Sequence, residues 1–159
     1  MAGVYTYNPK EVRLVVGGYI FEGWQTITIT RSAKTFATIR GIRGKNTRVQ
    51  NKDTSATIII PLLQTSQGND VFSQILEQDS TFGTARLSLM LDDGSGSSVF
   101  SSDEAYVTGY PSVIYSGGFE YRVWEIFCQS TGSYTIAGNS NPSDSLLGGL
   151  LDSARGFFS

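Results

Sequence analysis

The chain has no histidine and one cysteine, Cys128, in 159 residues. Without histidine, neither a Ser-His-Asp nor a Cys-His nucleophile can be built, and no His/Cys metal site. A lone cysteine excludes an intramolecular disulfide. Cys128 stands in an aromatic, β-patterned run, where it reads as a small buried hydrophobe. The chemistry left is that of carboxylates, lysine and tyrosine. The 14 acidic residues are scattered, with no spacing that singles out the pair a glycosidase would use. Neither GxGxxG nor GxxxxGK[ST] occurs, and Gly41 and Gly44 have the wrong spacing and context for a phosphate loop. The expectation is a protein that is not an enzyme and carries no metal or cofactor.

Charge is also scarce, at 16% of residues against the usual ~25%. Ser, Thr, Gly and Asn, or a partner, must cover the surface instead. No run approaches the ~18 apolar residues of a membrane span, and the N-terminus lacks a basic-then-apolar signal pattern. A soluble protein outside the secretory route, with no membrane partner, is expected. With 40% hydrophobic and 12% aromatic residues, the chain can build one domain with a real core.

Read in order, Val12 to Val16 and Tyr19 to Phe21 flank Gly17-Gly18 as a two-residue hairpin. QTITITR alternates strictly, with Ile27 and Ile29 on one face and Thr26, Thr28 and Thr30 on the other. Thr54 to Leu63 is a strand whose apolar end reads as buried on both faces, with Pro61 expected at an edge or strand end. Asn69 is placed to cap a helix over 70–79, with Asp70 in its first turn and Val71, Phe72, Ile75 and Leu76 on one apolar face. Thr84 to Leu91 alternates again, and Asp92 to Ser102 reads as a loop. Glu104 to Tyr115 and Phe119 to Gln129 are expected as two long strands joined near Ser116-Gly117-Gly118, with neither face of the second suited to water. A short strand, Tyr134 to Ala137, closes the set. The fold class expected is mainly β: an antiparallel β-sandwich or open barrel of about seven or eight strands with one flanking helix.

Two regions depart from this pattern. Arg31 to Lys52 holds seven of the 12 basic residues (Arg31, Lys34, Arg40, Arg43, Lys45, Arg48, Lys52) and no acidic one, and reads as a projecting β-hairpin. A loop so long in a compact domain usually has a function. Residues 77 to 104 carry Glu77, Asp79, Asp92, Asp93, Asp103 and Glu104 against one base, Arg86, a charge of −5. The basic arm of one copy reaching the acidic rim of the next would make a head-to-tail contact, which repeats into rings or filaments. A bland reading is two solvated loops of opposite sign. Another is a nucleic-acid-binding β-barrel that uses the arm on phosphate. Beyond a domain of residues 1–137, residues 138–159 read as a docking tail, with Leu146, Leu147, Leu150, Leu151 and Phe158 near one helical face and Gly148-Gly149 weakening any helix by ~1 kcal/mol per glycine.

The order of hairpin, Thr-rich strand, long arm, apolar strand, single helix and long antiparallel strands resembles the tail tube proteins of bacteriophages, a fold shared with the tubes of contractile injection systems. TITITR, RSAKTFATIRGIRGKNTRVQNKD, TSATIIIPLLQTS and GNDVFSQILEQD carry the likeness, which is similar above all to the short tube proteins of contractile-tailed phages and covers about residues 10–137. The resemblance implies a virion structural protein assembled in the host bacterial cytoplasm. It implies hexameric rings, closed by strands of six copies into a shared barrel, that stack into a tube for phage DNA. Partners implied are the tail sheath, baseplate and tail terminator proteins, with tape measure protein and DNA in the lumen. The Thr26, Thr28 and Thr30 face then becomes the candidate lumen wall, and the basic residues become ring–ring contacts.

Overall fold

A computed structural model describes residues 4–138 apart from 6 and 85. Its centre is one antiparallel sheet in the order β2-β1-β7-β8-β9-β6-β3, with β10 also on β8. Those strands are β1 (Val12–Val16), β2 (Tyr19–Ile20), β3 (Thr28–Arg31), β6 (Ala56–Leu63), β7 (Leu87–Asp93), β8 (Val99–Val107), β9 (Tyr121–Cys128) and β10 (Ser133–Thr135). The hairpin β4 (Phe36–Arg40) and β5 (Asn46–Gln50) forms a separate two-stranded sheet. One helix, α1 (Gly68–Phe82), packs on the inner face. The sheet does not close into a barrel within one chain.

Local chemistry explains the turns. Gly17 and Gly18 sit at φ of 59° and 86°, the positive pair that a two-residue hairpin requires, and Val16 pairs with Tyr19 across them. In α1, Gln67 is the N-cap and makes no side-chain cap bond. Asn69 therefore lies inside the first turn instead of capping it. Its Nδ2 donates to the carbonyls of Leu63 and Ser66 at 2.8 and 3.1 Å, and its Oδ1 accepts from Trp124 Nε1 at 2.9 Å. The apolar face expected of α1 is present: Phe72 and Leu76 are buried, with Val71 and Ile75 packed beside them.

The core gathers Leu14, Val16, Phe21, Ile58, Ile60, Leu62, Phe100, Trp124 and Ile126 around Phe72. Phe72 stacks on Phe21 at 4.2 Å and lies 5.2 Å from Trp124, centroid to centroid. Gly68 admits α1 to this cluster, because a Cβ there would stand 2.7 Å from Phe21 Cδ1 and 3.0 Å from Leu62 Cδ1. Gly68→Ala gains helix propensity of up to about 1 kcal/mol but overpacks the core at a cost of about 1–3 kcal/mol. A lower urea midpoint is the expected result; a higher one would show that the core yields freely.

Four strand expectations need correction. β6 is buried on one face only: Ala56, Ile58, Ile60 and Leu62 point in, while Ile59 and Leu63 are over a third exposed. β9 likewise buries Trp124, Ile126 and Cys128 but leaves Val123 49% and Tyr121 38% exposed. The hairpin of two long strands is shorter than expected. β8 ends at Val107 and meets β9 only from Ala105 to Val107, so residues 108–120 run outside the sheet with Tyr110, Val113, Ile114, Tyr115 and Phe119 exposed. The loop expected at 92–102 shrinks to 94–98, because β7 and β8 pair up to Asp92 and Val99.

Pro61 lies within β6, opposite Val123, and not at its end. Its carbonyl accepts from Gln25 N at 2.9 Å, and the nitrogen of a strand residue faces the same side as its carbonyl. That side is past the last β3 pair, Thr28 with Ile59, so the missing N–H removes no bond to β9.

Candidate functional site

The arm leaves β3 and returns to β6 through a buttoned base. Arg31 closes β3 opposite Ala56, and its Nη2 donates to the Asp53 carbonyl at 3.3 Å. Asp53 Oδ1 accepts from Ser55 N at 3.0 Å. The Ser55 backbone and side-chain donors, and then Arg31, hold the Asp53 carboxyl below the usual carboxylate range. Asn51 N donates to Thr35 O at 2.7 Å, which starts the ribbon. Arg31 is thus half-buried in the body, whereas Lys34, Arg40, Arg43, Lys45, Arg48 and Lys52 are exposed. At the tip, Gly41 N donates to Lys45 O and Gly44 N to Gly41 O, with Gly44 at φ 81°.

Every residue of β4 and β5 is exposed, and among the described residues these strands pair only with each other. The arm contributes +7 to a chain of net −2, so the remainder carries −9.

The six acidic residues fall into two groups. Glu77 and Asp79 lie on the second half of α1, and Asp79 and Glu104 line a cleft with Tyr106 and Gln129. Arg86 shares that cleft and comes within 3.7 Å of Glu104. Asp103 precedes Glu104 on β8. Asp92 and Asp93 occupy the far end of β7, some five residues from Leu87, or about 17 Å at ~3.4 Å per residue. Asp92 stands across from Arg13, and Asp93 Oδ1 accepts from Ser95 N at 3.0 Å.

Thr26, Thr28 and Thr30 are all exposed, but the strand expected from Gln25 begins only at Thr28, so Thr28 and Thr30 share a face of β3 and Thr26 precedes it. Register continues that face through Ile59 and Thr57 to Glu125 and Phe127, so it turns from polar at the β3 edge to partly apolar at the sheet centre. Sequence reasoning missed this mixed face; the alternation in ATIIIPLL was hidden by the apolar residues on both sides of the strand. Cys128 is buried, and burial pushes its thiol up. The tail residues Leu146, Leu147, Leu150, Leu151 and Phe158 lie outside the described residues.

The described residues thus present an unclosed sheet, an exposed charged arm and a half-apolar outer face. Sequence comparison gives the class: the chain belongs to a family of phage structural proteins. A relative there is "Structural protein ORF10" of Pseudomonas phage KPP10, 30% identical over 155 residues that span 90% of this chain and 89% of the relative. No protein-family model matches the chain. Among solved structures, the fold is similar to the anti-feeding prophage cap, a tube terminating cap, at TM-score 0.61 and 12% identity, over 86% of this chain and 95% of that one. The sheath/tube terminator of an extracellular contractile injection system matches at TM-score 0.49 and 12% identity, over 82% and 97%.

Proposed function

We propose that this virion protein is a ring-forming subunit of the phage tail, and that its hexameric rings stack into the tube through which DNA passes. The observation that carries the reading is self-complementarity: residues 31–52 carry +7, six of those charges on the projecting arm, and the rest of the same chain carries −9. Each ring then presents arms to one neighbour and acidic body to the other. Strands of adjacent copies extend the sheet across β3 and β2, its edges among the described residues, and close a shared barrel. The lumen must be polar and not cationic, since each neutralised phosphate would retain the DNA by counterion release. The Thr26, Thr28 and Thr30 face suits that wall, and the arm belongs in ring–ring contacts. Sheath, baseplate and tape measure proteins are the partners of such a tube, with assembly in the host cytoplasm.

A second reading is a ring that ends the tube; the likeness to a tube terminating cap favours it. Stacking separates the two. Negative-stain imaging of the purified protein is expected to show stacked rings that lengthen with concentration. Single rings that never stack would support the terminal role, and a monodisperse monomer at high concentration would defeat both.

A further inference from the structure

The arm is a ribbon with two chemically different faces. Residues directly opposed in an antiparallel pair share a face. Phe36, Thr38, Arg40 and Arg48 therefore lie on one side, and Ala37, Ile39, Thr47 and Val49 on the other. The Arg48 guanidinium sits 4.3 Å above the Phe36 ring, which confirms the first face. Ile39 and Val49 are exposed, and Ile42 at the tip is fully so. An isolated two-stranded hairpin is marginal in water at best, and this one leaves its apolar side wet.

We infer that the Ala37, Ile39 and Val49 face of the arm packs against the body of a second copy of this chain and supplies the strength of the contact, while the basic residues steer it. This rests on the assembly reading above and adds which face is buried. A second copy fits the ribbon because the chain outside residues 31–52 carries the complementary charge, −9 against +7. Nucleic acid would engage the Arg40 and Arg48 side and leave Ile39 and Val49 in water.

The test is Ile39→Ser with Val49→Ser in the full chain, beside Arg48→Gln on the opposite face. Losing two apolar anchors is expected to raise the subunit concentration needed for assembly about a hundredfold. Arg48→Gln should raise it by less than about fivefold. Wild-type assembly should also survive about 1 M salt, where screening acts beyond only ~3 Å. Circular dichroism checks the fold, and Ile39→Thr with Val49→Thr, which keeps β-branching, serves if the serine variant is unfolded. Normal assembly of the apolar-face variants while Arg43→Glu with Lys45→Glu fails would overturn the inference and leave the coupling arm intact. Normal assembly of both sets would overturn the inference and the coupling arm together, as would a wild type that never assembles. Dissolution of the wild-type assembly at high salt would also overturn the inference.

Discussion

Trp124→Ala is expected to lower the unfolding free energy by about 3–5 kcal/mol, a large share of the ~5–15 kcal/mol of an ordinary domain. Two losses combine. The indole is 2% exposed and closes the aromatic set with Phe72 and Phe21, so truncation opens a cavity between the sheet and α1. It also removes the Nε1–H bond to Asn69 Oδ1. Asn69 holds the α1 entry to Leu63 and Ser66, so the helix start loosens as well. Trp124→Phe isolates the second loss: it keeps a ring in place but strands the Asn69 acceptor, at about 1–3 kcal/mol. Urea denaturation should give a lower midpoint at unchanged slope for both variants, with alanine the worse. Equal midpoints for alanine and wild type would mean that α1 is not held through Trp124.

Where one face of an element meets a core and the other meets water, the sequence could be read directly. The Gly17-Gly18 hairpin, the Ile27/Ile29 alternation and the α1 stripe were legible for that reason. The arm was legible too, because charge excludes it from any core. Legibility failed where apolar residues point outward. Val113, Ile114, Tyr115 and Phe119 look like strand residues, yet they lie outside the sheet and exposed. Ile59, Leu63 and Val123 made β6 and β9 look buried on both sides. Periodicity marks a residue as apolar but does not say whether the fold of its own chain covers it, so apolar residues on an outer face read as core. Asn69 misled differently: its position before an apolar stripe suggested a cap, but its side chain is committed to Trp124, 55 residues further along the chain. The acidic residues ran together in sequence, while the β7–β8 hairpin sets Asp92 and Asp93 apart from Glu104.

Arg43→Glu with Lys45→Glu is expected to leave a folded subunit that no longer forms rings or tubes. Both side chains are exposed at the arm tip, and surface changes of this kind alter stability by about 0.5 kcal/mol or less. Each reversal removes two units of charge, so the arm falls from +7 to +3 and its tip becomes negative. The rest of the chain stays at −9, and like charges brought together resist contact where opposite charges had favoured it. The block should be strongest in dilute buffer and ease towards higher salt, because the Debye length shrinks from ~10 Å at 0.1 M to ~3 Å at 1 M. Sedimentation at monomer mass with an unchanged circular dichroism spectrum is the outcome that fits a coupling arm. Tubes that form normally while the variant loses affinity for DNA would transfer the arm to nucleic acid. The near-neutral chain and the wet Ile39 face weigh against that transfer: a DNA contact would neutralise the arm but leave its apolar side and the −9 of the rest of the chain without a partner.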